Sequence, residues 1–539
     1  MAQIQRVFTV DGRPFFPLGG QARNSSGFNR AEAERAFQVV RALHGNTVEI
    51  PVYWAQVEPE EGRFEWGSVT DLLALAEEYD LRLILLWFAT WKNGDMDYAP
   101  AWVKMDPERF PRVVSPTGKA IWSLSPHAET TLAADRAAFG ALCAFLRDND
   151  SRGAVIGLQI ENEPGILGSP RDYGPAGEAA YRGPVPAALI DRLRAAGAGR
   201  VYDIWQAAGG RGAGSWEEVF GWEGGELLTA WAIARYVDRI AEAGKRIISL
   251  PMYANVWLGE VEWGIAGDSY PSGGAVTKVL DIYRWFAPYL DLIAPDIYPQ
   301  DPFGFRRLCE AYLRDDNPLL VPESPTGGAN AWNIFRAIAD HNAIGYACFG
   351  VERMLEDDGT FRPAAQELAG SWQAVAAAIP LILKYQGSGR LHAVAQDEYL
   401  AYQLLDLDGY LGLVQFGDAA VAHVNKDWRH PTGRPLAAVG QPSTRGRGLV
   451  IQAGEHEFYV VGGGFQLLLR RKTSPEQAMD ITVTRPWLMR RATHYVSVEE
   501  GSLDADGVFH VERRRTGDET DHGIWVEPDV KVVRVILCD

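Results

Sequence analysis

The order of apolar runs over the first 380 residues constrains the fold of this chain more than any other feature. Eight runs recur: "PFFPLGG" (14–20), "NTVEIPVYW" (46–54), "LRLILLWFA" (81–89), "AVIGLQIENE" (154–163), "RIISLPMYAN" (246–255), "DLIAPDIYP" (291–299), "PLLVPES" (318–324) and "AIGYACFGVE" (343–352). Several are continuously apolar before a polar end, the pattern of parallel strands buried on both faces. Helix signals lie between them. In "NRAEAERAFQVVRALHG", Asn29 is placed to cap, with Glu32 three residues later, and Gly45 suits the C-terminal stop. Strand and helix alternating eight times predict a (β/α)₈ TIM barrel. The alternative, a doubly wound open sheet, lacks a glycine-rich turn after its first strand.

The barrel is expected over residues 1–380, with an enlarged loop at about 164–245. That segment is too long for one crossover, and its Gly/Pro clusters read as an elaborated active-site loop. Beyond 380 the pattern becomes alternating and is broken by glycine, as in "LVIQAGEHEFYVVGGGFQLLLRRK" (449–472) and "MDITVTRPWLMRRATHYVSVEE" (479–500). Residues 381–539 therefore read as a smaller all-β accessory domain of sandwich type.

Charge and cysteine content narrow the function classes. A net charge of −18, spread along the chain, makes nucleic acid and anionic membrane poor partners. No run reaches the ~18 apolar residues of a membrane helix. The N-terminus has no charged segment followed by a long apolar stretch, and the four cysteines are scattered. The expectation is a cytoplasmic protein with reduced thiols. With no His–Glu–x–x–His helix, Cys–x–x–Cys pair or Asp-rich loop, no metal and no cofactor are expected. The acidic surface and the β-rich extension are compatible with a homo-oligomer.

Catalytic groups of a barrel come from the C-terminal ends of its strands. "IENEPG" and "VPES" are two such ends, and both place Glu beside proline. A lone Glu at a strand end is by default an exposed charge. Two of them, on strands facing each other across the mouth, supply the pair of carboxyl groups that glycoside cleavage needs. Glu323 is the candidate on the seventh strand. On the fourth, alternation leaves Glu161 and Glu163 open, because residues two apart share a face. Among the 18 tryptophans, Trp91 and Trp332 follow strand ends closely and are candidates for stacking on a sugar ring.

"GLQIENEPG" resembles the acid/base motif of the family 35 glycoside hydrolases, the β-galactosidases of the large retaining (β/α)₈ clan. "EIPVYWAQVEPEEGRFEW" is similar to the strand-two signature of families 35 and 42, and "PDIYP" to the strand-six end. "LGSPRDYGPAGEAAYRGPVPAAL" and "YPSGG" resemble a bacterial branch of family 35 with a β-rich C-terminal extension. The resemblance implies a retaining exo-glycosidase acting on terminal β-linked sugars, β-galactosides first, with an oligosaccharide or glycoside as partner. It makes Glu163 the acid/base and Glu323 the nucleophile, with Asn162 binding substrate and Tyr298 hydrogen-bonded to the nucleophile. Glu161 then reads as a supporting polar residue. Where many family 35 enzymes carry Cys-Ala-Glu-Trp after strand three, this chain has "LWFATWKNGDMDYAP". Lys92 and Asn93 are then the hydroxyl ligands, and Glu49 is the candidate for the missing carboxylate. A β-glucosidase or transglycosylase on β-gluco-oligosaccharides would use the same machinery. A sugar-binding barrel without catalysis is the reading from another class; the joint presence of Glu163, Glu323 and Tyr298 argues against it.

Overall fold

The computed structural model describes residues 7–261, 263–397, 400–416, 445–472, 494–520, 523–526 and 532–538. Seven parallel strands form the barrel wall: β1 (Leu18–Gln21), β2 (Thr47–Tyr53), β3 (Arg82–Lys92), β4 (Val155–Asn162), β5 (Met252–Val256), β6 (Leu292–Pro295) and β7 (Tyr346–Phe349). Their spatial order is β6-β5-β4-β3-β2-β1-β7. The extended segment 321–323 fills the remaining gap: Glu323 bridges Asp296, and Val321 bridges Tyr346, both in parallel. The backbone bonds Ile297 N–H to Glu323 O (2.9 Å) and Ala347 N–H to Val321 O (2.8 Å) complete the closure. The eight apolar runs thus make a (β/α)₈ barrel.

Period-two alternation sorts the side chains. Ile84, Leu86 and Phe88 of β3 point inward and pack with Tyr53, Ile156, Tyr253, Leu292 and Leu320. Phe8, from the short hairpin Phe8–Val10/Arg13–Phe15, joins this inner cluster. Leu83, Leu85 and Trp87 point outward into the layer shared with the helices. That layer is built by α1 (Arg30–Ala42), α2 (Gly67–Tyr79), α3 (Glu129–Asn149), α4 (Gly224–Lys245), α5 (Leu280–Phe286), α6 (Pro302–Tyr312), α7 (Asn330–Ala339) and α8 (Gln366–Tyr385). Asn29 Oδ1 caps α1 by accepting Glu32 N–H at 3.0 Å. At the other end His44, not Gly45, takes the left-handed conformation (φ 61°). Gly45 is needed for close approach: a Cβ there would lie 2.8 Å from Val40 and 2.9 Å from the Leu18 carbonyl.

The segment after β4 departs from the expected loop. It folds into helices Pro175–Arg182, Ala187–Ala196, Arg200–Ala207 and Trp216–Phe220 before α4 begins. Its glycines and prolines separate short helices rather than loosening one long loop.

Beyond α8, a six-stranded and a four-stranded antiparallel sheet face each other across a second core. Val450, Val460 and Val535 from one sheet meet Leu405, Val414 and Leu467 from the other. The opposite face of the six-stranded sheet, with Leu391, Ala393, Leu449, Ile451 and Val461, belongs to the same core as α7 and α8. Strands Leu391–Ala395, Arg447–Gln452 and Glu457–Gly463 of that sheet are thus buried on both faces, which explains their near-continuous apolar runs. Of the expected β-rich stretch 479–500, residues 479–493 lie outside the described residues. Among the described residues no helix is long and apolar enough to cross a membrane.

Candidate active site

The C-terminal end of β3 is irregular, and this shapes the site. Trp87 pairs with Ile160 and the next pair is Lys92 with Asn162, so four residues of β3 oppose Glu161 alone. Three non-glycine residues here have left-handed backbone: Asn93 (φ 54°), Glu161 (φ 59°) and Glu163 (φ 47°). Each such residue costs about 1–3 kcal/mol and persists only where its surroundings hold it. The left-handed turn at Glu161 breaks the face rule that left Glu161 and Glu163 open. The Glu161 carboxylate leaves the barrel interior, accepts Trp91 N–H at 2.8 Å and hydrogen-bonds Asp135 of α3. Glu163, two residues on, turns into the mouth.

A cavity of about 370 Å³ opens there, in the range of small-ligand sites. Lys92, Asn93, Glu163, Asp296, Tyr298 and Glu323 line its polar side; Trp257, Leu258, Val261 and Phe349 line its apolar side. Carboxylate oxygens of Glu163, Asp296 and Glu323 lie within 4.8 Å of one another. Glu323 accepts the Tyr298 hydroxyl at 2.8 Å, and Glu163 accepts the Asn93 amide. Asn255, at the end of β5, accepts Glu163 N–H through Oδ1 at 2.8 Å and donates from Nδ2 to Asp296 at 2.9 Å. Asn162 is buried beside Glu323, and its side-chain hydrogen bond favours the ionised form of that carboxylate.

Burial is the largest influence on all three acids. It pushes Glu163 up to about 7, reinforced by the Glu323 charge and opposed by Lys92, Asp296 and Asn93. Glu323 is also raised by burial, but Lys92 and Tyr298 pull it back toward ionisation. Burial, then the charges of Glu323 and Glu163, hold Asp296 well above the usual carboxylate range. The acids thus differ in their support. Glu323 has a cation and a phenol donor; Glu163 has a neighbouring anion. This separates a group that stays charged from one that carries a proton near neutrality. Three carboxylates could ligate a divalent cation. Each already accepts one donor (Asn93, Asn255 or Tyr298), and Lys92 supplies positive charge in the same cavity. The donor set fits proton handling better than metal binding.

Of the residues expected from the sequence, Glu163, Glu323, Tyr298 and Asn93 line the cavity, and Asn162 sits beside Glu323. Three candidates fall elsewhere. Trp91 is fully buried because the β3 irregularity turns its ring outward, against Tyr236 of α4 at 4.6 Å, with Nε1 donating to Leu124 O at 3.2 Å. Trp332 is buried on the side of α7 that meets the C-terminal sheet, where Arg445 stacks over its ring at 4.9 Å. Neither lines the cavity. Glu49 lies within the barrel wall at 1% exposure, with Tyr253 donating to it at 3.4 Å, and burial raises it strongly. It does not line the cavity, and among the described residues no cation pairs with it. No residue of 164–245 lines the cavity either. Asp296 and Asn255 were missed, and Trp257 was placed near a strand end but not singled out. Asn255 ends the fifth apolar run, Trp257 lies two residues past it, and Asp296 falls within the sixth.

Comparison with known proteins gives partial matches. A β-galactosidase of Xanthomonas manihotis is 30% identical over 183 residues, 32% of this chain and 28% of that protein. The matched part is thus less than a third of the relative's length. A β-galactosidase from Bacillus circulans sp. alkalophilus superposes with a TM-score of 0.47 at 16% identity, over 67% of this chain and 56% of that one. A family 42 β-galactosidase from G. stearothermophilus gives 0.48 at 14% identity, over 70% and 59%. The likeness to β-galactosidases drawn from the motifs recurs in the matched part of the Xanthomonas protein. Residues 368–527, the last barrel helix and most of the β sandwich, match a family described as a domain of unknown function, DUF5597.

Proposed function

We propose that this chain is a retaining glycoside hydrolase that releases terminal β-linked sugars, β-galactosides first, by double displacement. The observation that carries the reading is the placement of Glu163 and Glu323 on two strand ends, with carboxylate oxygens within 4.8 Å in one cavity. Retaining pairs stand about 5–5.5 Å apart, whereas inverting pairs leave ~6.5–9.5 Å for a water.

In the first step a Glu323 oxygen attacks the anomeric carbon while the bond to the leaving oxygen breaks, and Glu163 gives that oxygen its proton. Esterified Glu323 no longer carries charge, so one of the two causes raising Glu163 disappears. Glu163 can then take a proton from water as the water oxygen attacks the same carbon and frees Glu323. Lys92 and Tyr298 keep Glu323 ionised between cycles. Asn162 supports the ionised form of Glu323 from beside the cavity, and Trp257 and Phe349 offer apolar surface to the ring.

A panel of chromogenic α- and β-glycosides tests this. Turnover of a β-glycoside, with the first-formed sugar retaining its β configuration by NMR, is the expected result. Inversion, or turnover of α-glycosides only, would contradict the reading.

A further inference from the structure

Asp296 lies at the end of β6, 3% exposed, and its environment can be read atom by atom. A backbone N–H can only donate, so the Glu163 N–H must meet the oxygen of the Asn255 amide, at 2.8 Å. This fixes which way the amide points. Asn255 Nδ2 is therefore the atom that faces Asp296, and it makes Oδ2 of that carboxyl an acceptor at 2.9 Å. Oδ1, the other oxygen, is buried and has no donor directed at it. It belongs to a carboxyl that hydrogen-bonds Glu163. Two carboxylates cannot bond each other without a proton between them.

The surrounding charges point the same way. Asp296 is faced by Glu163 from β4, Glu323 from the segment beyond it, Lys92 from β3, Tyr253 from β5, Tyr298 from its own loop and Tyr312 from α6. Lys92 is the cation in this set. With Glu323 ionised, the site is balanced only if Glu163 and Asp296 both hold protons.

We propose that Asp296 keeps its proton on Oδ1 through the whole cycle and donates it to the Glu163 carboxyl, acting as a neutral positioning residue rather than a third anion. The proposal rests on Glu163 being the acid/base. With Asn93 and Asp296 both donating to Glu163, the proton of Glu163 is left for the leaving oxygen. Once that proton has gone, the Asp296 donor stabilises the new Glu163 anion in a dry cavity until water arrives. Asp296 itself exchanges no proton with substrate, so its charge does not change in either step.

The test compares Asp296→Asn with Asp296→Ala in the full chain. An asparagine can reproduce both bonds, with its oxygen toward Asn255 and its amide toward Glu163. D296N should keep the wild-type pH–rate profile and pre-steady-state burst. D296A should move the basic limb to higher pH and slow breakdown of the glycosyl-enzyme by ~10- to 100-fold, the rate equivalent of a lost hydrogen bond to a charged group. A basic limb displaced to lower pH in D296N, or D296N as slow as D296A with unaltered thermal unfolding, would overturn the proposal. An infrared difference between wild type and D296N gives an answer independent of turnover: a protonated-carboxyl band at neutral pH, lost in D296N, is expected. Its absence would overturn the proposal. A wild type inactive on every glycoside, but showing that band, would instead overturn the reading of Glu163.

Discussion

At the scale of single residues the account turns on Glu163 and Glu323 having unequal surroundings. Activity needs Glu163 protonated and Glu323 charged. With Glu163 raised to about 7, kcat/KM should fall as pH rises through about 7, and fall again at low pH where Glu323 takes up a proton. Replacing Glu163 with Ala should slow substrates with poor leaving groups by ~10²–10⁴ and activated aryl glycosides far less, and azide should rescue the latter. Leaving-group dependence and azide rescue that follow Glu161→Ala instead would contradict the assignment. Glu323 and the Glu161/Glu163 pair stand out in the sequence because they end apolar runs; the choice of Glu163, and the roles of Tyr298, Asn162 and Asn93, come from the resemblance to family 35. Trp91 and Trp332 fit the same rule but are buried, since position near a strand end says nothing about which way a ring turns. Asp296 and Asn255 also fall in or at the end of apolar runs, but their roles come from contacts between different strands, which position along a run does not reveal.

At the scale of elements, the β3–β4 pairing decides the geometry, and this was the least legible part. Alternation holds for Ile84, Leu86 and Phe88, then fails where four residues oppose Glu161. The failure depends on left-handed backbone at Glu161, which no periodicity announces. The displaced carboxylate forms a buried pair with Asp135, itself tied to Trp87 Nε1 (2.8 Å) and Thr90 Oγ1 (2.6 Å), both on the irregular stretch of β3 or beside it. Burial and the Asp135 charge hold Glu161 well above the usual carboxylate range, so the pair shares a proton. Glu161→Gln should preserve both contacts and keep stability within about 1 kcal/mol and activity near wild type. Glu161→Ala should cost ~2–4 kcal/mol by denaturant unfolding, because Trp91 N–H and Asp135 lose a buried partner. Equal losses in the two variants would argue against a shared proton. The helical content of 164–223 was also missed: Gly and Pro mark breaks, but short helices between breaks have too few turns for a clear period.

At the scale of the whole molecule, the barrel and the sandwich share a core. Arg447 of the six-stranded sheet reaches α8, donating from Nε to Ser371 Oγ at 2.8 Å and from Nη2 to Glu367 O at 3.0 Å. Arg447→Ala should lower stability by ~2–4 kcal/mol while leaving kcat unchanged below the unfolding transition, since it lies outside the cavity. A change in kcat without loss of stability would contradict a purely structural joint. We propose the division at about residue 380 as one between units that fold against each other. The buried acids also give the molecule a signed pH response. Glu49, Glu161, Glu163 and Asp296 all have raised values when folded, so their stability contributions are complete below the ordinary carboxylate range. Those contributions are lost as pH rises through the folded values, at up to ~1.4 kcal/mol per pH unit for each group. Tm should therefore fall between about pH 5 and pH 8, and Glu161→Gln should flatten that fall.

The central claim is that Glu323 forms a covalent bond to the sugar. The most direct measurement is mass spectrometry of peptides from protein inactivated with an activated 2-fluoro-β-glycoside of the sugar that the panel selects. One added fluorosugar per chain is expected, carried by Glu323 in "LLVPES" and absent in Glu323→Gly. A label on Glu161, Glu163 or Glu352, or turnover with inversion and no label, would contradict it.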